Sequence, residues 1–293
     1  MKVLKIKPIP VPKGHIHPPV PNDVLPQHEF TLGIIAPKGS GKTTTICNVL
    51  NFYKDYFHTI LVFSPTIESD EKWDVIKKTK LLTQNKILKK FAQDLINKDK
   101  KQKGNGLIDR PKGNDETMQS IVDSIDSYTG YIPEDCFFDD YNDSTFEGIM
   151  EEQKRMVRLL KQHDKPKHMA NRILVIFDDL VGSDLFRSNY FKGFNTRHRH
   201  YGVSMIMVSQ GYKEIGKTVR TNFTALIIFG IGNEMEIQVI YEEFAMKLKY
   251  KDWLEIYNYC TEEPYSFMYL NLFKPKDKQI MKNFEEYVSL AQK

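Results

Sequence analysis

The segment that most constrains the fold is a glycine-rich loop, the phosphate loop, between an apolar run and an amphipathic run. The loop reads Ala36-Pro-Lys-Gly-Ser-Gly-Lys-Thr43. The run before it, Phe30–Ile35, has the length and composition of a buried strand, and Thr44–Leu50 has the spacing of a helix. A loop that joins a strand to a helix in this way predicts an α/β fold with a phosphate site at the carboxyl end of the first strand.

The residue types in the phosphate loop favour a nucleoside triphosphate. Glycine lets consecutive backbone N–H groups turn toward a β-phosphate, while Lys42 reaches the β- and γ-phosphates and the Thr43 hydroxyl can ligate Mg²⁺. The motif usually begins with glycine, and Ala36 takes that place here, which requires a negative φ. The residues predicted to bind the nucleotide are Pro37, Lys38, Gly39, Ser40, Gly41, Lys42, Thr43 and Thr44.

The predicted preference for adenine over guanine rests on the absence of a guanine-binding motif from the sequence. Guanine is usually read by Asn-Lys-x-Asp, and the nearest segment, Asn97-Lys-Asp-Lys100, fails at its last position. We therefore predict ATP, bound with Mg²⁺, in preference to GTP.

Further apolar runs predict the rest of the sheet. Strands are predicted at 58–64, 172–179, 203–210, 224–229 and 266–272, and helices at 42–53, 69–98 in two pieces, 146–163, 233–246, 250–259 and from about 276 onward. Continuous apolar strands that alternate with helices are typical of a mostly parallel sheet covered on both faces.

The chain is predicted to contain one domain, residues 28–293, preceded by an arm, residues 1–27. Seven of the fourteen prolines fall within the first 26 residues, so the arm is extended; it either lies on the domain or reaches a neighbouring subunit. Glycine, proline and polar residues interrupt the helical pattern near 98–118, which predicts a flexible insertion.

Charge is segregated along the chain. Residues 77–103 carry ten lysines, and residues 115–152 carry twelve acids without any Lys or Arg. Two interpretations stay open: the two blocks neutralise each other locally, or the lysines contact a nucleic-acid backbone.

Composition excludes several classes of protein. The chain is 41% hydrophobic and 27% charged, and its longest apolar run has only the length of a strand, so no transmembrane segment is predicted. Three scattered cysteines indicate free thiols in a reducing compartment. His15 and His17, and His198 and His200, are two apart, but without further residues at ligand spacing they predict no zinc site.

Polar side chains end two of the predicted strands. Asp178 and Asp179 follow Leu174–Phe177, and Gln210 closes the next strand. We predict that Asp178 holds Mg²⁺, that Asp179 is the general base toward water, and that Gln210 senses the γ-phosphate.

Hydrolysis at such a site often needs a cation from a neighbouring subunit, because charge spreads over the γ-phosphoryl oxygens. Arg197, Arg199 and Arg220 precede predicted strands and are candidates, although each is equally read as a surface ion-pair partner.

Together these residues resemble the poxvirus-type DNA-packaging ATPases of large eukaryotic DNA viruses, in the superfamily that holds the FtsK and HerA translocases. The segments that carry the resemblance are Phe30–Thr45, Val62–Thr66, Ile173–Asp179, Arg199–Gln210 and Lys217–Asn222. It covers roughly residues 28–245.

The resemblance implies a RecA-like core that assembles into a ring of five or six subunits and drives double-stranded DNA into a capsid. It also implies capsid or internal membrane-associated proteins as partners, and a location in the host cytoplasm, at the virus factory, and in the virion. Two other functions share the phosphate loop: a nucleoside or nucleotide kinase, and a structural oligomer that nucleotide locks without turnover.

Overall fold

The computed structural model describes residues 17–104, 113–180, 182–244 and 248–288. Within these residues a nine-stranded sheet forms, in the order β3-β2-β4-β5-β1-β6-β7-β8-β9. The strands are β1 (Thr31–Ile35), β2 (Thr59–Phe63), β3 (Phe137–Phe138), β4 (Ile173–Asp178), β5 (Val203–Ser209), β6 (Ala225–Phe229), β7 (Phe267–Asn271), β8 (Ile280–Lys282) and β9 (Glu286–Tyr287). The first six pair in parallel and the last three are antiparallel, so the predicted mostly parallel α/β fold is confirmed.

Helices follow the strands. They are α1 (Lys42–Phe52), α2 (Glu71–Lys77), α3 (Lys86–Gly104), α4 (Gly113–Asp126), α5 (Asp143–Gln162), α6 (Asn189–Asn195), α7 (Lys217–Arg220), α8 (Glu234–Phe244) and α9 (Tyr250–Thr261). Side-chain caps fix several starts: Asn142 accepts hydrogen bonds from the N–H groups of Ser144 and Thr145 at the start of α5. None of the described helices combines the length and apolar character that crossing a bilayer requires.

The central strands are buried on both faces. Along β4, Leu174 and Ile176 pack into one hydrophobic cluster, and Val175 and Phe177 pack into another. Successive side chains of a strand point to opposite faces, so the continuous apolar run of β4 feeds two cores at once. The carboxyl ends of β1, β4 and β5 therefore meet at one rigid edge.

The predicted helix from about residue 276 is wrong. A short 3₁₀ turn, Lys276–Lys278, leads instead into β8 and β9. Ile280 packs into one core and Met281 into the other, which is the two-residue alternation of a strand, and both pair with β7. The two-residue strand β3, which pairs with β2, was not predicted.

The predicted insertion falls partly on residues 105–112, which lie outside the described residues. On either side of them the chain is helical, because α3 extends to Gly104 and α4 begins at Gly113. The two helices pack through Ala92, Met118 and Val122. An ion pair between Lys89 and Asp126 joins the lysine-rich block to the acidic one, as local neutralisation requires.

The described part of the arm, residues 17–27, lies against the domain. Val20 and Leu25 are buried in the core on the α1 side of the sheet. Two tyrosine hydroxyls fix its backbone: Tyr53 donates to the carbonyl of Pro26 at 2.7 Å, and Tyr56 donates to that of Pro18 at 2.8 Å. Residues 1–16 of the predicted arm lie outside the described residues.

Candidate functional site

The phosphate loop leaves the carboxyl end of β1 and enters α1. Gly39 and Gly41 have φ of +82° and +96°, a region in which side-chain-bearing residues are strained, so both glycines are needed for the turn. Ala36 is fully buried, and its N–H continues the pairing with β5 by donating to the carbonyl of Ser209 at 3.0 Å. Its φ is not positive, so alanine is compatible with the first position of the motif. Lys38 and Thr44 are exposed on the loop and the first turn of α1.

Lys42, Asp179 and Gln210, which the sequence places far apart, are joined by hydrogen bonds. Lys42 Nζ donates to Asp179 Oδ2 at 3.1 Å, and Gln210 Nε2 donates to the same oxygen at 2.7 Å. Asp179 has a φ of +53°, which turns the chain immediately after β4. One carboxylate oxygen therefore receives a cation from the first turn of α1 and an amide donor from the residue that follows β5.

Asp178 lies one residue earlier and is buried. Its Oδ2 accepts a hydrogen bond from Ser64 Oγ at 2.8 Å, whereas its Oδ1 has no hydrogen-bond partner among the described residues. Burial raises the pKa of Asp178, and the Ser64 hydrogen bond and the charge of Lys42 oppose that rise. A buried carboxylate with an unpaired oxygen beside a phosphate loop fits a divalent cation, since hard cations prefer oxygen ligands.

Thr43 meets a third carboxylate, which sequence reasoning missed. Its Oγ1 donates to Asp70 Oδ2 at 2.9 Å, and the other oxygen of Asp70 accepts from the N–H of Lys72 and so caps α2. The available signal was a capping aspartate just after the second strand, which predicts a helix start and nothing about chemistry.

Tyr265 was also missed. Its side chain is 72% exposed and its φ is +66°, an unusual backbone conformation for tyrosine. A ring carbon lies 3.5 Å from the place where a Cβ on Gly41 would be, so the ring lies beside the phosphate loop. The sequence shows only a tyrosine before a strand, so this contact is visible in the structure alone.

Two of the candidate arginines, Arg197 and Arg199, lie away from the chain's own phosphate loop. Arg197 and Arg199 are exposed and precede β5, whereas Gln210 follows it, so the seven residues of β5 hold them roughly 20 Å apart. Arg197 Nε donates to the carbonyl of Gly193 at 3.0 Å, and the carbonyl of Arg199 accepts from Lys167 at 2.7 Å. Both arginines remain on a surface that a second chain can reach.

Arg220 does not fit its predicted role. It is buried, its Nη2 lies 3.0 Å from Glu243 Oε1, and its Nη1 donates to the carbonyl of Ile215 at 2.9 Å. Its guanidinium also stacks on the ring of Tyr212 at 4.7 Å. A side chain held by these contacts within its own subunit is not positioned to insert into a neighbour's site.

One family model and several solved structures match this chain. The family model described as "Poxvirus A32 protein" matches residues 118–268, just over half of the chain, a range that includes Asp178, Asp179 and Gln210. A search of curated proteins gives no significant match.

Several solved structures are similar to this chain. The genome packaging NTPase B204 of Sulfolobus turreted icosahedral virus 2, in complex with AMPPCP, is 12% identical over 87% of this chain and 96% of its own, with a TM-score of 0.49. B204 of Sulfolobus turreted icosahedral virus is 14% identical over 86% and 96%, with a TM-score of 0.46. The type VII secretion ATPase EccC of Thermomonospora curvata is 14% identical over 86% and 25%, with a TM-score of 0.43.

Proposed function

Because the chain belongs to the poxvirus A32 protein family, we propose that it is an ATPase that packages a viral genome by moving double-stranded DNA. One observation carries the proposal: Lys42, Asp179 and Gln210 share hydrogen bonds beside the unpaired oxygen of Asp178. Hydrolysis of a triphosphate needs a phosphate-binding cation, a base toward water, a polar sensor and a metal-binding carboxylate. These four residues supply one of each at a single edge of the sheet.

Binding of a triphosphate would change the role of Asp179. Lys42 is attracted to β- and γ-phosphate oxygens, and as it turns toward them its ion pair with Asp179 opens. Asp179 is then free to accept the proton of an attacking water, while the Gln210 amide orients that water. The Lys42–Asp179 pair would thus hold the base inactive until a phosphate takes the lysine.

Asp178 and Thr43 would hold Mg²⁺. The ion would neutralise charge that develops on the β- and γ-phosphate oxygens. Asp70 would set the direction of the Thr43 hydroxyl: because Thr43 donates its proton to Asp70, its oxygen lone pairs remain available to a cation. Asp178 keeps its orientation through the hydrogen bond from Ser64.

We also propose that the chain assembles into a ring of five or six subunits. Arg197 and Arg199 are exposed at the edge of the sheet opposite the phosphate loop, where a neighbouring subunit's loop would meet them. A permanent forked cation there would stabilise the transition state in trans. The capsid or internal membrane-associated proteins would be the further partners, and the host virus factory and the virion would be the locations.

The test is ATP hydrolysis by the purified full chain with and without double-stranded DNA. We expect DNA to raise the rate, Lys42→Ala to abolish it, and Lys54→Ala, an exposed lysine beyond the end of α1, to leave it unchanged. Absence of stimulation by DNA across a range of salt concentrations would contradict the translocase. Transfer of phosphate to a nucleoside instead of water would identify a kinase, and tight binding without turnover would identify a structural oligomer.

Subunit mixing tests the shared site. A Lys42→Ala subunit cannot hydrolyse ATP but still offers its arginines to a neighbour. An Arg199→Ala subunit keeps an intact phosphate loop but lacks the arginine that would act on the neighbour's ATP. If Arg199 acts in trans, mixtures of the two inactive variants recover part of the activity. The same mixing with Arg197→Ala identifies which of the two arginines acts. If neither mixture gains activity, the proposed role of these arginines in trans is wrong.

A further inference from the structure

A cluster of metal-binding side chains lies where the arm meets the start of β1, at the edge of the sheet opposite the phosphate loop. His17, His28 and Glu29 each offer one donor atom, and the three atoms lie within 4.8 Å of one another. His17 Nε2 and Glu29 Oε1 are 3.1 Å apart, and the two side chains are only 11% and 10% exposed. The cluster thus brings a residue of the arm against two residues that precede the first strand.

Two imidazole nitrogens of these histidines are buried without a hydrogen-bond partner among the described residues: Nε2 of His28, and Nδ1 of His17, on the other side of the ring from the Nε2 that meets Glu29. Native proteins rarely leave such atoms unpaired. On the other side of the His28 ring, Nδ1 is hydrogen-bonded to Ser204 Oγ at 2.6 Å, and that oxygen also accepts the N–H of Phe30. In the tautomer with the proton on Nδ1, the Nε2 lone pair is free to bind a metal ion, and the Ser204 hydrogen bond is the second-shell contact that orients a ligating histidine.

We propose that His17, His28 and Glu29 bind a zinc ion that fastens the arm to the start of β1. Two imidazoles and one carboxylate favour Zn²⁺ over Mg²⁺ or Ca²⁺, which prefer sites made of oxygen alone. Ligand atoms about 2.0 Å from a tetrahedral ion lie about 3.3 Å from one another. The His17–Glu29 separation of 3.1 Å already matches, and no pair has to close by more than about 1.5 Å for the ion to bind. Water completes the coordination.

Lys167 distinguishes a zinc site from an ordinary polar cluster. Its ammonium lies 3.0 Å from Glu29 Oε1 and 3.3 Å from Oε2, so it competes with a cation for the same carboxylate. The side chain is 35% exposed and can move into water. If the cluster is only an ion-pair network, removing Lys167 brings no affinity for metal. If the cluster binds zinc, Lys167→Met removes a competitor and strengthens binding.

The experiment measures zinc bound by the full chain, purified without a histidine tag, stripped of metal, and dialysed against ZnCl₂. We expect one zinc ion per chain. His17→Ala and Glu29→Gln should each lower the affinity at least tenfold, Lys167→Met should raise it several-fold, and His200→Ala, an exposed histidine, should leave it unchanged. Circular dichroism confirms that each variant is folded, and the His17 variant alters the arm without touching the sheet.

Cobalt substitution separates this site from the thiols of Cys47, Cys136 and Cys260. Co²⁺ bound to imidazole and carboxylate shows no thiolate charge-transfer band, which is the expected spectrum. Less than one zinc per chain at saturation, unchanged affinity in the His17 and Glu29 variants, weaker binding in Lys167→Met, or a thiolate band would each overturn the proposal. These measurements do not depend on ATP hydrolysis.

Discussion

Replacing Arg220 by methionine tests whether this arginine stabilises its own subunit or acts on a neighbour's nucleotide. In the structure it forms a buried ion pair with Glu243, with side chains only 10% and 20% exposed. Tyr212 donates its hydroxyl proton to the same carboxylate and stacks under the guanidinium. Arg220→Met keeps the apolar part of the side chain and removes the charge, so that Glu243 stays partly buried without its cation.

The cost follows from the burial of the pair. Removing one partner of a buried ion pair destabilises a protein by about 3–5 kcal/mol. Because Glu243 keeps some contact with water and with Tyr212, we expect the lower end, about 3 kcal/mol. The unfolding entropy of a chain of 293 residues is about 0.6 kcal/mol/K at about 2.1 cal/mol/K per residue, so the melting temperature should fall by about 5 °C.

Scanning calorimetry measures the fall, and ATP hydrolysis is measured well below the melting temperature. We expect the rate per folded molecule to be close to that of the wild type. Glu243→Gln is the matched control: it breaks the same pair from the other side and should lower the melting temperature similarly. If Arg220 instead acted in trans on a neighbour's nucleotide, its loss would slow ATP hydrolysis by a factor of about 10³–10⁵. An unchanged melting temperature with such a loss of rate would refute the buried-pair interpretation.

Three further predictions test the site and the core. Burial raises the pKa of Asp178, so the folded protein loses stability as the pH rises through the pKa that this carboxyl has in the folded state. In calorimetry at pH 7 without nucleotide, Asp178→Asn should therefore have a higher melting temperature than the wild type. Mg·ATP should raise the melting temperature of this variant less than that of the wild type. Tyr265→Ala should weaken ATP about 5- to 150-fold by loss of base stacking while inorganic tripolyphosphate binds unchanged, and Tyr265→Phe should retain ATP in calorimetric titrations. In Gly33→Ala the new Cβ would lie 2.8 Å from the ring of Phe223, so urea unfolding should show a free energy of unfolding that is lower by about 1–3 kcal/mol. Gly232→Ala is the control, because no heavy atom lies within 4 Å of the place that its Cβ would take.

The fold was predictable where burial alone decides the structure. A strand inside a parallel sheet is apolar on both faces, so β4 appears in the sequence as an uninterrupted apolar run from Ile173 to Phe177, and β5 is apolar from Met205 to Val208. In the short antiparallel strands at the end of the chain, apolar runs are a weaker indication of strand structure. The segment Ile280–Lys282 has only three residues, and its strand character comes from pairing with residues of β7 that lie 10 to 14 positions earlier in the sequence and contribute nothing to local periodicity. The wrong helical prediction after residue 276 has this cause.

The site was predictable where a residue type follows directly from its position at a strand end. Lys42, Asp178 and Gln210 belong to segments with recognisable patterns, and the structure brings them to one edge. Asp70 and Tyr265 reach the phosphate loop from turns whose local sequence indicates only a helix cap and a strand start. Their proximity to the loop is set by how α2 and β7 pack, and packing between distant segments leaves no local pattern.

The ion pair between Lys42 and Asp179 constrains how the proposed motor could work. Lys42 is paired with Asp179, so a triphosphate would have to replace this internal partner. That replacement costs part of the binding energy, but it also releases a carboxylate at the end of β4 and an amide at the end of β5. Since β5 also connects the site to the segment that carries Arg197 and Arg199, a change at Gln210 and a change at a neighbour's site involve the same strand. If the proposed trans role of these arginines holds, β5 would be the element that links a subunit's own nucleotide site to that of its neighbour.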